Sequence, residues 1–218
     1  MARLIRAHQG SKMDVVPPRL TYYDARGTAL KCRFLLADLE IRYEWAPLAS
    51  AEQVAAAKAG APSCTLPVWE DSAARVAGGM VILEYLGASL GRYSTSLQVQ
   101  AAARALVLFC EDLLAAVWKE PEAVAEALAA GAEMTRSECI AAYRQNRILP
   151  GLTVLTRDVL SLRSLAPEPL YSDYAVLEVL YYADAEYPEL VDQFPPLREL
   201  SDGYRARPGI KKLLASLV

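Results

Sequence analysis

Between residues 20 and 87 the chain alternates short β-prone runs with helical ones, and beyond Gly91 the β-prone runs stop. That change of character constrains the fold more than any single motif. Residues 20–23 (LTYY) form the first β-prone run and end at the turn-forming DARG. Residues 28–40 carry Ala29, Cys32, Phe34, Leu35, Leu36 and Leu39 at helical spacing. Residues 41–48 (IRYEWAPL) alternate apolar and polar side chains, as a half-buried strand does. An alanine-rich helix then starts behind Ser50, a good N-cap, and stops at Gly60 and Pro62. Residues 65–71 (TLPVWED) and 74–77 (ARVA) read as two more strands, and residues 80–86 as a buried helix stopped by Gly87.

The order is therefore β-α-β-α-β-β-α. A strand-helix-strand opening predicts a parallel pair joined by a right-handed crossover, and the later adjacent strands predict a hairpin. A small mixed sheet covered by helices follows. The remainder reads as all-helical: a long helix over residues 95–119, an alanine-rich stretch after Pro121, and a helical segment over 135–162 with Pro150 marking a kink or break. Two further helical segments are punctuated by Pro188, Pro195, Pro196 and Pro208. The expected organisation is a loose extension over residues 1–18, an α/β domain over 19–90 and an all-helical domain over 91–218.

Composition excludes several classes of function. A net charge of −3 gives no basic face for nucleic acid. The longest apolar runs contain acids and fall short of the ~20 residues of a membrane span. The four cysteines, Cys32, Cys64, Cys110 and Cys139, form no CxxC pair, and the one histidine is His8, so no metal site is expected. Such spacing suits buried thiols in a reducing compartment, which predicts a cytoplasmic protein.

Three features could carry chemistry. Tyr22 and Tyr23 end the first strand, where ligands of open α/β sheets gather, and alternation sends the two rings to opposite faces. A phenol there can donate to a thiolate and favour its ionised form; two packed aromatics are the plainer alternative. Pro67 opens a strand, which requires an edge or special turn, and a cis Leu66-Pro67 bond would leave the Leu66 backbone free to pair with an extended peptide. Composition alone favours trans. Gly78 and Gly79 stand where a helix begins, either as a tight turn or as a site where free N–H groups meet a carboxylate.

Taken in order, LTYYDARGTALKCRFLLADLEIRYEW, APSCTLPVWED, GGMVILEYL and the segment over residues 172–214 resemble the soluble glutathione transferases, closest to their sigma-like, tyrosine-using branch. The resemblance spans residues 19–218. It implies a thioredoxin-like domain followed by a helical domain, a homodimer, and attack of the glutathione thiolate on hydrophobic electrophiles, without a metal. By the same resemblance Tyr22 activates the thiol. Leu66, ahead of the cis Pro67, pairs with the glutathione backbone, Lys58 reaches its glycine carboxylate, and Asp112 assists the partner subunit's glutathione. Trp118 and Leu114 are similar to a wall of the electrophile cleft, core packing being the plainer reading of Leu114.

The departures fall on the same site. Gly78-Gly79 replaces a Gln/Glu-Ser pair that holds the γ-glutamyl end. Thr28 stands for an arginine near the tyrosine, Val54 for a tryptophan, Thr65 for a polar or basic residue, and Leu170 for a helix cap ahead of Asp173. The resemblance thus leaves two functions to separate, a transferase and a non-catalytic binding or assembly protein on the same fold.

Overall fold

The computed structural model describes residues 16–131 and 133–217, so the expected extension over residues 1–18 lies outside the described residues except at its last three positions. Elements run in chain order as β1 (Arg19–Tyr23), a 3-10 turn (Gly27–Ala29), α1 (Leu30–Asp38), β2 (Glu44–Leu48), α2 (Ala51–Ala59), β3 (Val68–Glu70), β4 (Arg75–Ala77) and α3 (Gly79–Ser89). They continue as α4 (Leu97–Ala129), α5 (Arg136–Tyr143), a π-helical turn (Arg144–Ile148), α6 (Leu149–Leu165), α7 (Ser172–Glu186), α8 (Pro188–Val191), α9 (Pro195–Arg205) and α10 (Pro208–Ala215). The chain divides into two compact units. One takes in residues up to Ser94, Pro169–Tyr174 and the segment from Arg205; the other is Thr95–Glu168 with Ala175–Tyr204.

The first unit is built on a sheet of order β2-β1-β3-β4. β1 pairs parallel with β2 and antiparallel with β3, and β3 pairs antiparallel with β4. This is the mixed sheet that the element order demands. β2 lies at the edge, which accommodates Pro47 and its missing N–H opposite Tyr22. Leu20, Phe34, Leu35, Leu36, Trp69, Ile82, Leu83 and Leu86 are at most 1 % exposed. Each such side chain contributes about 1.5–3 kcal/mol by leaving water.

Local chemistry fixes the element ends. Ser50 Oγ accepts from Gln53 N–H at 3.2 Å while Gln53 Oε1 accepts from Ser50 N–H at 3.2 Å, a reciprocal cap for α2. The Asp71 carboxylate closes the β3–β4 hairpin by accepting from the N–H groups of Ala73 and Ala74, each at 2.8 Å. At the start of α7, Asp173 Oδ2 accepts from Leu170 N–H at 3.0 Å. Leu170 has no side-chain acceptor to return, so only half of a capping box forms. α10 folds with the first unit, where Arg207 Nη1 donates to Asp38 Oδ2 at 2.7 Å and Tyr174 donates to the same oxygen at 2.6 Å.

Four sequence expectations need correction. Gly87 does not stop α3, which runs on to Ser89 and ends at Leu90. It serves instead as a contact point, because a β-carbon there would stand 2.5 Å from Tyr171 Cβ. Pro121 does not divide the helical stretch, since α4 continues through it for 33 residues. The strong helix formers around it and the Glu120–Arg144 pair, closed by two bonds of 3.0 Å, outweigh the single lost hydrogen bond. Pro150 does not break the chain's helical course, which runs through it into α6, and the irregularity falls just before it as the π-helical turn. Finally, Cys32, Cys110 and Cys139 are buried free thiols, but Cys64 is exposed, on a 3-10 turn at the surface.

Among the described residues no helix is long and apolar enough to cross a membrane, and no group of three or more potential ligands could hold a metal ion.

Two glycines separate packing from propensity. Gly87→Ala is expected to destabilise the protein by about 1–3 kcal/mol through its collision with Tyr171. Gly203→Ala, inside α9 with nothing within 4 Å of the new carbon, is expected to stabilise by about 0.5–1 kcal/mol. Urea denaturation of both variants checks the pair, and a neutral Gly87→Ala would contradict the packing described.

Candidate functional site

β1 carries Tyr22 to the C-terminal edge of the sheet, and the chain then doubles back through the 3-10 turn to α1. The turn closes over the Tyr22 ring. Gly27 has φ +42°, and a β-carbon there would run into the phenol oxygen. Thr28 makes the next contact. Its N–H donates to the Tyr22 oxygen at 3.2 Å and its Oγ1 donates to the same atom at 3.3 Å. A phenol oxygen accepts two hydrogen bonds and keeps one proton to give. Both acceptor positions are thus filled, and no acceptor for the Tyr22 proton is present among the described residues. The residue is 7 % exposed and packs with Ala29, Ala61, Leu66 and Val68.

Tyr23 does not take a separate face, as strict alternation would have it. β1 ends there, Ala25 N–H donates to the Tyr23 carbonyl at 2.7 Å, and the Tyr23 ring folds against the same cluster. The two rings meet edge-to-face with centroids 4.9 Å apart. Lys58, in the last turn of α2, holds its ammonium 5.7 Å from the Tyr23 ring centroid. A hydrogen bond with the Tyr23 hydroxyl, followed by that group's charge, raises the Lys58 pKa above its ordinary value.

The Leu66-Pro67 bond is cis, the isomer that composition disfavours. Leu66 precedes β3 rather than belonging to it, and its backbone N–H and C=O make no hydrogen bond among the described residues. The Pro67 carbonyl accepts from Gly78 N–H at 2.8 Å, which ties the proline turn to the start of α3.

The glycine doublet is required by the backbone. Gly78 is the N-cap of α3 with φ +92°, a conformation that L side chains rarely adopt. At Gly79 a β-carbon would stand 2.5 Å from the Thr28 carbonyl oxygen and 3.4 Å from Lys31 Cε. Cys32 Sγ donates to the Gly79 carbonyl at 3.4 Å, closing the same contact from α1. No side chain caps α3, so the N–H groups of its first turn are met by none, and the dipole's positive end sits beside them. Gly78 and Gly79 are both half-buried, within reach of solvent.

Tyr22, Leu66, Pro67, Gly78, Gly79 and Lys58 therefore share the first unit, linked through Thr28, Tyr23 and the proline turn. Val54 packs against the Tyr22 cluster, and Thr65 Cγ2 lies 3.8 Å from where a Gly78 side chain would start. Asp112 is exposed on α4 and belongs to the helical unit. There Leu114 is 1 % exposed and so is core, while Trp118 is 43 % exposed and meets the Tyr182 ring edge-to-face at 5.4 Å.

Sequence reasoning marked Thr28 only as a substitution and passed over Lys31, which is fully buried in α1. A hydroxyl residue one step past the Gly27 turn was the available signal for the first. Nothing local marked the second.

Residues 27–89 match the family model for the glutathione S-transferase N-terminal domain. No curated protein matches the chain. Among solved structures, the Pi-class glutathione S-transferase of Onchocerca volvulus shares 20% identity at a TM-score of 0.73, covering 92% of this chain and 93% of that one. The monomeric glutathione S-transferase Na-GST-3 of Necator americanus shares 19% at 0.72, covering 92% and 97%. Prostaglandin synthase D of Nilaparvata lugens shares 17% at 0.70, covering 91% and 97%. The chain has the glutathione S-transferase fold, with a thioredoxin-like first unit followed by a helical region.

The doublet yields a direct test. Gly79→Ser, which restores a hydroxyl at the helix start, is expected to cost about 1–3 kcal/mol because its β-carbon meets the Thr28 carbonyl. Gly78→Ala is expected to cost about 1–2 kcal/mol through its positive φ. Equilibrium unfolding measures both, and wild-type stability for Gly79→Ser would overturn the close approach.

Proposed function

We propose that the first unit binds glutathione and that the protein transfers it to hydrophobic electrophiles, with Tyr22 as the catalytic residue. The observation carrying this reading is the Tyr22 hydroxyl, whose oxygen accepts twice from Thr28 and whose proton has no acceptor among the described residues. Two donors on the oxygen polarise the O–H and strengthen it as a donor. Aimed at the glutathione sulfur, it favours the thiolate over the thiol.

The remaining residues fit a tripeptide in parts. The unpaired N–H and C=O of Leu66 match the extended backbone of its cysteinyl residue, as strand addition requires. The open first turn of α3 suits the γ-glutamyl carboxylate through backbone N–H groups alone. Lys58 supplies a cation for the glycine carboxylate, at the cost of leaving Tyr23. In this reading the thiolate attacks an electrophilic carbon and forms a carbon–sulfur bond. A leaving group departs with its electron pair, or a proton adds to the neighbouring carbon. The reading extends to a cytoplasmic homodimer in which Asp112 faces the partner's glutathione.

The doublet favours a second reading, a binding or assembly protein with weak or no glutathione affinity. Two side-chain hydrogen bonds to the γ-glutamyl end are missing, each worth roughly 1–3 kcal/mol, or about tenfold to a hundredfold in affinity.

Conjugation of glutathione to a broad aryl halide separates the two. Tyr22→Phe is expected to lower kcat/KM about a hundredfold and Thr28→Val about five- to tenfold. Background rates in the wild type, or equal rates in wild type and Tyr22→Phe, would remove the catalytic reading.

A further inference from the structure

The helical unit holds a cleft of about 300 Å³ that the proposed chemistry does not use. One wall is α4, which contributes Ala123, Val124 and Ala127; the facing wall is α5 and the π-helical turn after it. Space exists here because the α4 side chains are small and because the π turn widens the opposite helix. Leu149 N–H donates to the Arg144 carbonyl five residues back, so the turn carries more chain than an α-turn would. Such turns recur at functional sites in helices.

The polar groups around the cleft divide into occupied and available ones. Tyr143 lines it, but its hydroxyl already donates to the Ala116 carbonyl at 2.8 Å. Arg144 is held by Glu120 at 3.0 Å, with Glu189 at 3.7 Å. Arg147, one helical step further, lines the cleft with no carboxylate within 4.0 Å among the described residues, and Asn146 stands beside it. Met134, an adaptable thioether that is 42 % exposed, also borders the cleft. An apolar trough with a single unpaired guanidinium matches a molecule with an apolar body and an anionic head.

We propose that this cleft binds a small amphipathic anion of the medium-chain carboxylate class, its chain along the alanine wall of α4 and its head on Arg147 and Asn146. Guanidinium and carboxylate match as a two-pronged pair. A cleft of this volume is at the lower end of small-molecule sites. The site lies wholly within the helical unit and stands apart from the glutathione reading, so either can fail without the other.

Calorimetric titration of the full chain with octanoate, with 1-octanol as the neutral comparison, tests this. The expected result is one octanoate per chain, octanol at least tenfold weaker, and an octanoate affinity reduced about tenfold or more in Arg147→Gln. Ala127→Trp, which fills the trough, is expected to abolish binding. Arg147 is exposed and forms no ion pair among the described residues, so its variant answers the question even if Ala127→Trp fails to fold. No binding of octanoate to the wild type, octanol binding as tightly as octanoate, or an affinity unchanged in Arg147→Gln would overturn the proposal.

Discussion

The Thr28 carbonyl occupies the place that a side chain at position 79 would need, and much of the first unit depends on that contact. It sets the start of α1 against the start of α3 at backbone distance. The same residue turns its N–H and hydroxyl the other way, onto the Tyr22 oxygen. One residue thus joins the end of the central strand β1 to the N-terminus of α3. A side chain at 79 would push these elements apart and move the phenol with them. At Gly27 and Gly79 this junction has no room for a β-carbon, and at Gly78 the positive φ disfavours one.

The proposed glutathione site is consequently made mainly of backbone. Leu66 presents its own N–H and C=O, α3 presents the N–H groups of its first turn, and Gly78 is tied back to Pro67. Side chains enter only as the Tyr22 hydroxyl and the Lys58 ammonium, and the latter is engaged with Tyr23. Backbone donors are fixed in place and cost no rotamer entropy on binding, but they confer less charge-specific affinity than the missing side chains would. The uncapped start of α3 and the Tyr22 hydroxyl held by Thr28 are the groups on which the proposed thiolate chemistry rests.

The parallel β1–β2 pair and the β3–β4 hairpin could be read from the sequence because the β-prone runs were short and only the parallel pair had a helix between its strands. Ser50 with Gln53 announced its helix in the same way. The failures share a different cause. Gly87 looks like a stop until Tyr171, distant in sequence, is known to press on it. Pro121 looks like a break until Arg144 is seen to hold the preceding Glu120. At the glycine doublet, the carbonyl that excludes a side chain from position 79 has no signature in a one-letter code. Candidate positions were legible from residue type. What fills the space around them was not, because long-range packing decides it.

The central claim is that the Tyr22 hydroxyl, held by Thr28, stabilises a bound glutathione thiolate. The most direct measurement is the ultraviolet difference spectrum of the thiolate on adding glutathione near neutral pH to the wild type and to Tyr22→Phe. A thiolate band in the wild type that is lost in the variant while glutathione still binds is the predicted result. A band of equal strength in both proteins, or no band in the wild type at saturating glutathione, would contradict it.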